Sequence, residues 1–165
     1  MMKISFIIVT YNSEALIKDC LQSIYEYADI KTDEFEIIII DNSNDSGNKK
    51  LLNITNQFSE VKVIHNPINS GYGAGNNIGI RKSQGSIISI MNPDVRIQSP
   101  IMKAILSKFN NTNLALLGHK QIGGLNPSLY PRPEFRKGLI NGFLLKKNNK
   151  KNNFKPTDAF LSRPS

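Results

Sequence analysis

The sequence predicts an α/β domain built on a mainly parallel sheet flanked by helices. Strand-like apolar runs alternate with helix-like amphipathic segments over the first hundred residues, which is typical of repeated β-α-β units. Four consecutive isoleucines at 37–40 are typical of a strand that is covered on both faces. Right-handed crossovers would bring the carboxyl ends of such strands to one edge of the sheet, where open α/β proteins bind ligands.

Each element is predicted from a local pattern. The expected strands cover 3–9, 35–40, 61–64 and 86–91, with a short fifth strand at 114–117. The expected helices run from Ser13, as N-cap, to about Tyr27, then over 48–58 and 72–83, and from an opening at Ser99 and Pro100. The apolar face of the first helix would carry Leu16, Ile17, Cys20, Leu21 and Ile24.

Length and charge suggest one domain followed by a basic segment. The chain has 165 residues, a mass of 18.5 kDa and a net charge of +8. Residues 1–119 carry 11 basic and 11 acidic side chains, so the excess lies in 120–165, which we expect to be loop-rich and partly disordered. Such asymmetry indicates an anionic partner, although a solvated tail is an equal alternative.

Compartment and partner classes follow from what the composition lacks. No apolar run approaches the roughly 20 residues of a membrane span, and no signal-peptide pattern follows the start. A single cysteine, Cys20, fits a reducing compartment and is expected in the core. A cytoplasmic location is therefore expected. Nucleic acid is not expected as a partner, because aromatic residues are not interleaved with the basic ones.

Three predicted strands end in polar loops that could bind a phosphorylated ligand. Thr10-Tyr11-Asn12 offers a hydroxyl, an aromatic ring and an amide, although ordinary turn chemistry would explain it as well. Asp41 could accept hydrogen bonds from a uracil or thymine imide or from a ribose hydroxyl, or could instead cap the next helix. Asp94, in Asn92-Pro93-Asp94, could hold a divalent cation together with a diphosphate, or could simply form a turn.

The glycine-rich segment 69–79 disfavours two common nucleotide-binding classes. It fails the G-x-G-x-x-G pattern of dinucleotide-binding proteins and lacks the G-x-x-x-x-G-K-[ST] of a phosphate loop. Small residues there would allow close approach of a ligand, or alternatively of a helix packed tightly on the sheet. His65 and His119 have no metal-ligand spacing and are expected to be structural.

Taken together, these segments resemble family-two glycosyltransferases of the GT-A fold. The resemblance covers residues 3 to about 100, and Asn92-Pro93-Asp94 is similar to the rhamnosyltransferase-like branch of bacterial surface-polysaccharide enzymes. The matching stretches are Ile7-Ile-Val-Thr-Tyr-Asn12, Cys20-Leu21-x-Ser23-Ile24, Ile37-Ile-Ile-Ile-Asp-Asn-Ser43, Asn69-Ser-Gly-Tyr-Gly-x-Gly-x-Asn-x-Gly79 and Asn92-Pro-Asp94.

The resemblance implies inverting transfer of a sugar from a UDP- or dTDP-linked donor to a glycan or lipid-linked acceptor, in cell-surface polysaccharide biosynthesis. Asp94 would hold Mg²⁺ or Mn²⁺, and Asn92 would replace the first aspartate of the usual D-x-D. The implied nucleotide-binding residues are Thr10, Tyr11, Asn12, Asp41, Asn42, Asn69, Gly71, Asn77 and Asn92.

The catalytic base is not assigned from the sequence. Family members carry an acidic pair in their acceptor half, whereas the acids after residue 94 here are only Glu134 and Asp158, in no matching context. The GT-A fold is therefore expected to be incomplete in its C-terminal half, with 1–119 binding the nucleotide-sugar and 120–165 beginning the acceptor region. A non-catalytic nucleotide-sugar-binding fragment is the alternative, and the basic segment could touch the inner face of a membrane.

Overall fold

The computed structural model describes residues 4–110 and Leu117. Strands and helices alternate along 4–110, as the sequence predicts. The strands are β1 (Ile4–Thr10), β2 (Phe35–Asp41), β3 (Val61–His65) and β4 (Ile87–Met91). The helices are α1 (Glu14–Glu26), α2 (Asp45–Thr55), α3 (Tyr72–Lys82) and α4 (Met102–Phe109), with one 3₁₀ turn at Thr32–Glu34.

The four strands form one parallel sheet in the order β3-β2-β1-β4. The two central strands, β1 and β2, are buried at all seven positions, because helices cover both faces of the sheet. The expectation of a doubly covered isoleucine strand is therefore confirmed.

The two faces of the sheet pack against different helices. On one face, Phe6 and Phe35 meet edge-to-face with ring centroids 6.1 Å apart, and Tyr25 of α1 packs on Phe35 at 5.7 Å. On the other face, a cluster of Ile7, Val9, Ile38 and Ile40 lies under α3. Alternating side chains of β1 thus belong to opposite halves of the core, as the two-residue period of a strand requires.

The start of α1 differs from the sequence expectation. Ser13 occupies the N-cap position, but its side chain makes no cap hydrogen bond; it donates to the backbone oxygen of Tyr11 instead, at 3.0 Å. Leu16, expected on the apolar face, is 41% exposed, whereas the other four predicted members of that face are fully buried. The buried stripe of α1 is therefore narrower than the pattern suggested.

Two other helices begin at different residues from those predicted. Helix α2 begins at Asp45 because Asn44 accepts a hydrogen bond from Gly47 N at 3.0 Å and caps it. Helix α4 begins at Met102 rather than at Ser99 and Pro100, and the carboxylate of Asp29 accepts the Lys103 N–H at 3.2 Å.

The remaining sequence expectations about organisation lie outside the described residues. The predicted fifth strand at 114–117 is described only at Leu117, which has no regular secondary structure. The basic segment 120–165, with Glu134 and Asp158, and the predicted boundary at 119–120 are not described either, so they stay predictions. Among the described residues, no helix has the length and apolar character needed to cross a membrane.

Candidate functional site

The polar loops after β1, β2 and β4 lie at one edge of the sheet. Thr10 pairs with Asp41 in the register of β1 and β2, and Ile8 pairs with Met91 in the register of β1 and β4. The three segments that the sequence singled out therefore leave the sheet side by side, as expected for parallel strands.

Asp41 is buried and hydrogen-bonded to both neighbouring loops. Its side chain is 1% exposed; Oδ1 accepts from Thr10 Oγ1 and from Ser43 N, both at 3.1 Å, and Oδ2 accepts from Asn48 Nδ2 at 3.0 Å. Because Asn44 caps α2, Asp41 is not the helix cap that was the alternative interpretation. The carboxylate instead fixes the ends of β1 and β2 relative to each other.

Asn42 joins the β2 loop to the loop after β3. It is 3% exposed, its N–H donates to Thr10 O at 2.9 Å, and its Oδ1 accepts from Asn66 Nδ2 at 2.7 Å. Asn66 also donates to Ser70 Oγ at 3.0 Å. The predicted binding residue Asn42 therefore supports the site from beneath its surface.

Tyr11 and Asn12 stand at the surface of the same edge. The Tyr11 ring is 57% exposed, so one face is available for packing on a base. Asn12 has φ of 50°, a left-handed conformation that asparagine tolerates, and its N–H donates to Ser43 Oγ at 2.8 Å. The backbone of this loop is thus held in place independently of the Tyr11 ring.

The start of the glycine-rich segment is exposed, whereas its later part packs tightly on the sheet. At the start, Gly71 has φ of 85°, and Asn69 Oδ1 accepts the Gly71 N–H at 3.1 Å. Farther along, a Cβ on Gly75 would lie 2.9 Å from Val9 Cγ1, and one on Gly79 would lie 2.4 Å from Ile7 Cγ2. The tight-packing alternative is therefore correct for these two glycines, while Asn77 is exposed on α3.

Helix α1 holds the loop that follows β4. The Cys20 thiol approaches the backbone oxygen of Asn92 at 3.8 Å, and Ser23 Oγ accepts the Ile97 N–H at 3.0 Å. Burial raises the pKa of Cys20 to about 12, so this thiol is an inert core group, as expected. Arg96 pairs with Asp19 at 2.6 Å.

Asp94 is exposed beside the start of α3. The Tyr72 hydroxyl donates to Asn92 Oδ1 at 2.8 Å. Burial raises the pKa of Tyr72, the Asp94 carboxylate raises it further, and a hydrogen bond with the Asn76 side chain opposes both. The glycine-rich segment and the loop after β4 therefore meet at this edge.

Sequence reasoning missed several residues that build this edge. Asn48 and Asn66 complete the contacts of Asp41 and Asn42. The position of Tyr72 directly after a glycine is visible in the sequence, and the structure leaves the residue 39% exposed. Its contact with a partner twenty residues later has no sequence signal. His65 is structural as expected, with Nε2 2.9 Å from Ser43 O; His119 lies outside the described residues.

The residues present fit a divalent cation only with help from a ligand. No group of three His, Cys, Asp or Glu side chains suited to a metal occurs within the described part of the chain. Mg²⁺ is commonly held by one or two carboxylates together with substrate phosphates. Asp94 alone, exposed at the strand edge, meets that requirement when a diphosphate supplies the other oxygens.

A surface cleft of about 310 Å³ contains none of the predicted site residues. It lies between α1 and residues 96–98, and the Asp19–Arg96 ion pair forms part of its lining. Because the charges of that pair neutralise each other and Glu26 adds a carboxylate to the lining, the cleft suits an anionic nucleotide less well than the edge with the exposed Tyr11 and Asp94.

The chain matches Glycosyl transferase family 2 over residues 5–162. It belongs to that family. The family resemblance and the GT-A fold expected from the sequence are therefore confirmed, and the structural likeness covers the parallel sheet with its flanking helices.

Relatives carry the same domain within longer chains. A poly(ribitol-phosphate) beta-glucosyltransferase of Bacillus spizizenii is 33% identical over 142 residues, or 82% of this chain and 21% of the relative. The structure of Staphylococcus aureus TarS 1–349 in complex with UDP is 26% identical, with a TM-score of 0.64, and the match covers 79% of this chain and 38% of that one.

A more distant structure shares the fold alone. The mannosyltransferase PcManGT from Pyrobaculum calidifontis, in complex with GDP-Man and Mn²⁺, is 22% identical, has a TM-score of 0.58 and matches 66% of this chain and 32% of its own. The chain thus spans less than half the length of each of these proteins.

Proposed function

We propose that this chain is the donor-binding part of a glycosyltransferase that uses a UDP- or dTDP-linked sugar. The observation that carries the proposal is the buried Thr10–Asp41 contact with the exposed Tyr11 ring beside it, at the edge that also presents Asp94. A rigid polar floor with an available aromatic face suits a pyrimidine nucleotide, and the TarS relative was solved with UDP.

Within this proposal, different side chains contact the base, the ribose and the diphosphate of the donor. Tyr11 packs on the base, while Thr10, Asp41 and Asn42 shape the base and ribose side. Four exposed residues of the loops and the glycine-rich segment, together with the partly buried Asn92, face the ribose and diphosphate: Asn12, Asn69, Gly71 and Asn77 are the exposed ones. A cation bound at Asp94 would neutralise charge on the departing nucleoside diphosphate.

The acceptor in this proposal is a polyanionic or lipid-linked glycan of the cell surface. The +8 segment 120–165 would contact its phosphates, and the named relative from Bacillus acts on poly(ribitol-phosphate). A cytoplasmic location with peripheral contact at the inner face of the membrane is part of the same proposal, because basic residues attract anionic lipids.

A non-catalytic nucleotide-sugar-binding module is the second candidate. It is favoured within 95–165 by the scarcity of acids, since only Glu134 and Asp158 occur there. A general base typically contributes about 10²–10⁴-fold in rate, so on this alternative residues 1–165 tested by themselves should bind the donor and hydrolyse it slowly at most. Release of UDP from UDP-sugars, measured with and without poly(ribitol-phosphate), separates the two: acceptor-stimulated release supports the enzyme, and binding without release supports the module.

Tyr11 provides the sharpest test of donor binding. Tyr11→Ala should weaken UDP or dTDP binding by about 1–3 kcal/mol, the range measured for base–aromatic stacking. Because the ring is 57% exposed and the loop is held through backbone bonds, the thermal midpoint without ligand should change little. Titration calorimetry with Mg²⁺ present measures the affinity.

Tyr11→Phe, which keeps the ring, is the matched control and should bind as the wild type does. Stabilisation by NAD, with none from UDP or dTDP, would contradict the proposed donor class, since a ligand of the folded state raises the midpoint.

Asp94 tests the cation. Asp94→Asn should weaken UDP binding in Mg²⁺ or Mn²⁺ by at least about tenfold, because loss of a charged ligand is comparable with loss of a hydrogen bond to a charged group. In EDTA the same substitution should leave the affinity unchanged or raise it slightly, because it removes a carboxylate that repels the diphosphate. An equal loss in both media would show that Asp94 is only a turn residue.

A further inference from the structure

Tyr72 connects two segments of the site that are twenty residues apart. It is the first residue of α3, its ring is 39% exposed, and its hydroxyl lies 2.8 Å from Asn92 Oδ1. One turn later on α3, Asn76 is 6% exposed, and its side chain is close enough to the same phenol to lower the pKa of Tyr72. The contact therefore joins the glycine-rich segment to the loop that carries Asp94.

The proton of the phenol determines the direction of this network. A tyrosine hydroxyl has one O–H to donate, so donation to Asn92 leaves the phenol oxygen only its lone pairs to offer the Asn76 amide. The Asn76 Oδ1 atom is then left buried without a partner among the described residues. Reversing both amides would bury an unpaired NH₂ with two donors in its place, which leaves more hydrogen-bonding capacity unsatisfied.

This direction changes what Asn92 can offer a ligand. Its Oδ1 is turned towards the Tyr72 hydroxyl, so the Nδ2 group of the planar amide is directed away from Tyr72 and is the group that we expect to face a ligand. An N–H group cannot ligate a cation, but it donates well to an anionic phosphate oxygen. At the position where a D-x-D enzyme has its first aspartate, this chain would therefore have a hydrogen-bond donor.

We propose that Tyr72 is a positioning residue that turns the Asn92 amide so that its N–H₂ contacts the donor diphosphate beside Asp94. This inference rests on the proposed nucleotide-sugar function. Among the described residues, Asp94 is then the single carboxylate for the cation, and the amide supplies part of the diphosphate binding without any metal. A measurable share of UDP affinity should persist in EDTA.

The test compares UDP affinity in EDTA with that in Mn²⁺ by titration calorimetry. Tyr72→Phe keeps the ring and removes the hydroxyl, which frees the Asn92 amide to rotate. In EDTA its UDP affinity should fall about fivefold to tenfold, which is less than the full loss of a bond to a charged group because the freed amide still contacts the phosphate part of the time. In Mn²⁺ the loss should be smaller, because the released Oδ1 can turn to the cation. The dissociation constant in EDTA divided by that in Mn²⁺ should therefore rise.

Asn92→Asp is the second variant, and it should change the ratio in the same direction and further. The new carboxylate repels the diphosphate in EDTA and gains a cation in Mn²⁺. Tyr25→Phe is the matched control, because the Tyr25 hydroxyl donates to the Ser59 backbone oxygen away from the site. It should leave the ratio unchanged.

Two results would overturn the inference. One is an unchanged ratio in Tyr72→Phe, and the other is wild-type UDP affinity in EDTA for Asn92→Asp. The side-chain ¹⁵N–¹H signals of Asn92, assigned by their loss in Asn92→Asp, give a ligand-free readout that should shift in Tyr72→Phe. If they do not shift, the positioning contact is wrong; if they shift but the wild type binds neither UDP nor dTDP, the proposed function is wrong instead.

Discussion

Replacing Gly79 with alanine is expected to lower the free energy of unfolding by about 2 kcal/mol or more, at the upper part of the range for overpacked cores. A Cβ at this position would lie 2.4 Å from Ile7 Cγ2, 3.3 Å from Ile7 Cδ1 and 3.5 Å from Ile40 Cγ1. Both isoleucines are fully buried in central strands, so neither can move without disturbing the sheet. This loss should outweigh the gain of about 1 kcal/mol in helix propensity.

Gly73→Ala is the matched control on the same helix. A Cβ there would meet no atom within 4 Å, so the substitution should be neutral or stabilising by up to about 1 kcal/mol. Urea unfolding of both variants measures the difference. A stabilised Gly79→Ala variant would show that α3 is farther from β1 than the structure places it.

The fold could be predicted because its strongest signals are local. The isoleucine run of β2 and the β-α order do not depend on distant partners, and both are confirmed. Helix starts were less predictable because tertiary contacts compete with local caps. The Lys103 N–H finds its acceptor in Asp29, which lies seventy-four residues earlier, so the Ser99-Pro100 pattern does not determine where α4 begins.

The site was predictable as a set of strand ends but not as a network. The parallel register alone brings Thr10 beside Asp41, and polar residues after buried strands are visible in the sequence. The contacts between loops are different. Tyr72 reaches Asn92 only because α3 crosses back over the sheet, and no spacing along the chain encodes that distance.

Glu36, at the opposite end of β2, is a second case in which the contacts of a side chain could not be predicted from the sequence. Its side chain is 1% exposed, and Oε1 accepts from Ser5 Oγ at 2.8 Å and from Gln84 N at 2.6 Å. Oε2 accepts from Lys62 Nζ at 3.0 Å, and Ser5 Oγ in turn accepts the Gly85 N–H at 2.8 Å. An acid within a strand pattern gave no hint that one carboxylate would join β1, β2, β3 and the turn before β4.

Glu36→Ala is expected to lower the free energy of unfolding by about 3 kcal/mol, because buried donors left without an acceptor cost about 1–3 kcal/mol each. The Ser5 hydroxyl and the Gln84 N–H would both lose their acceptor. Lys62 is half exposed and can return to water, so it adds little to the loss. Urea unfolding at pH 7 measures the change.

Glu36→Gln removes the charge, and it also replaces one accepting oxygen with a donor, so the pH dependence is what reveals the contribution of the charge. Burial opposes ionisation of Glu36, but the hydrogen bonds from Gln84, Lys62 and Ser5 together outweigh it and lower its pKa. Because the pKa of Glu36 is lower in the folded state, its ionisation stabilises the fold at any pH above the ordinary glutamate pKa of about 4.3. That contribution is lost as the pH falls through the lowered pKa. The wild type should therefore exceed Glu36→Gln in stability at pH 7, and the gap should narrow steadily below about pH 4. Urea midpoints of the wild type and Glu36→Gln, measured from pH 7 to pH 3, give this difference in stability. A constant difference over that range would mean that Glu36 stabilises the fold through its shape and hydrogen bonds and not through its charge.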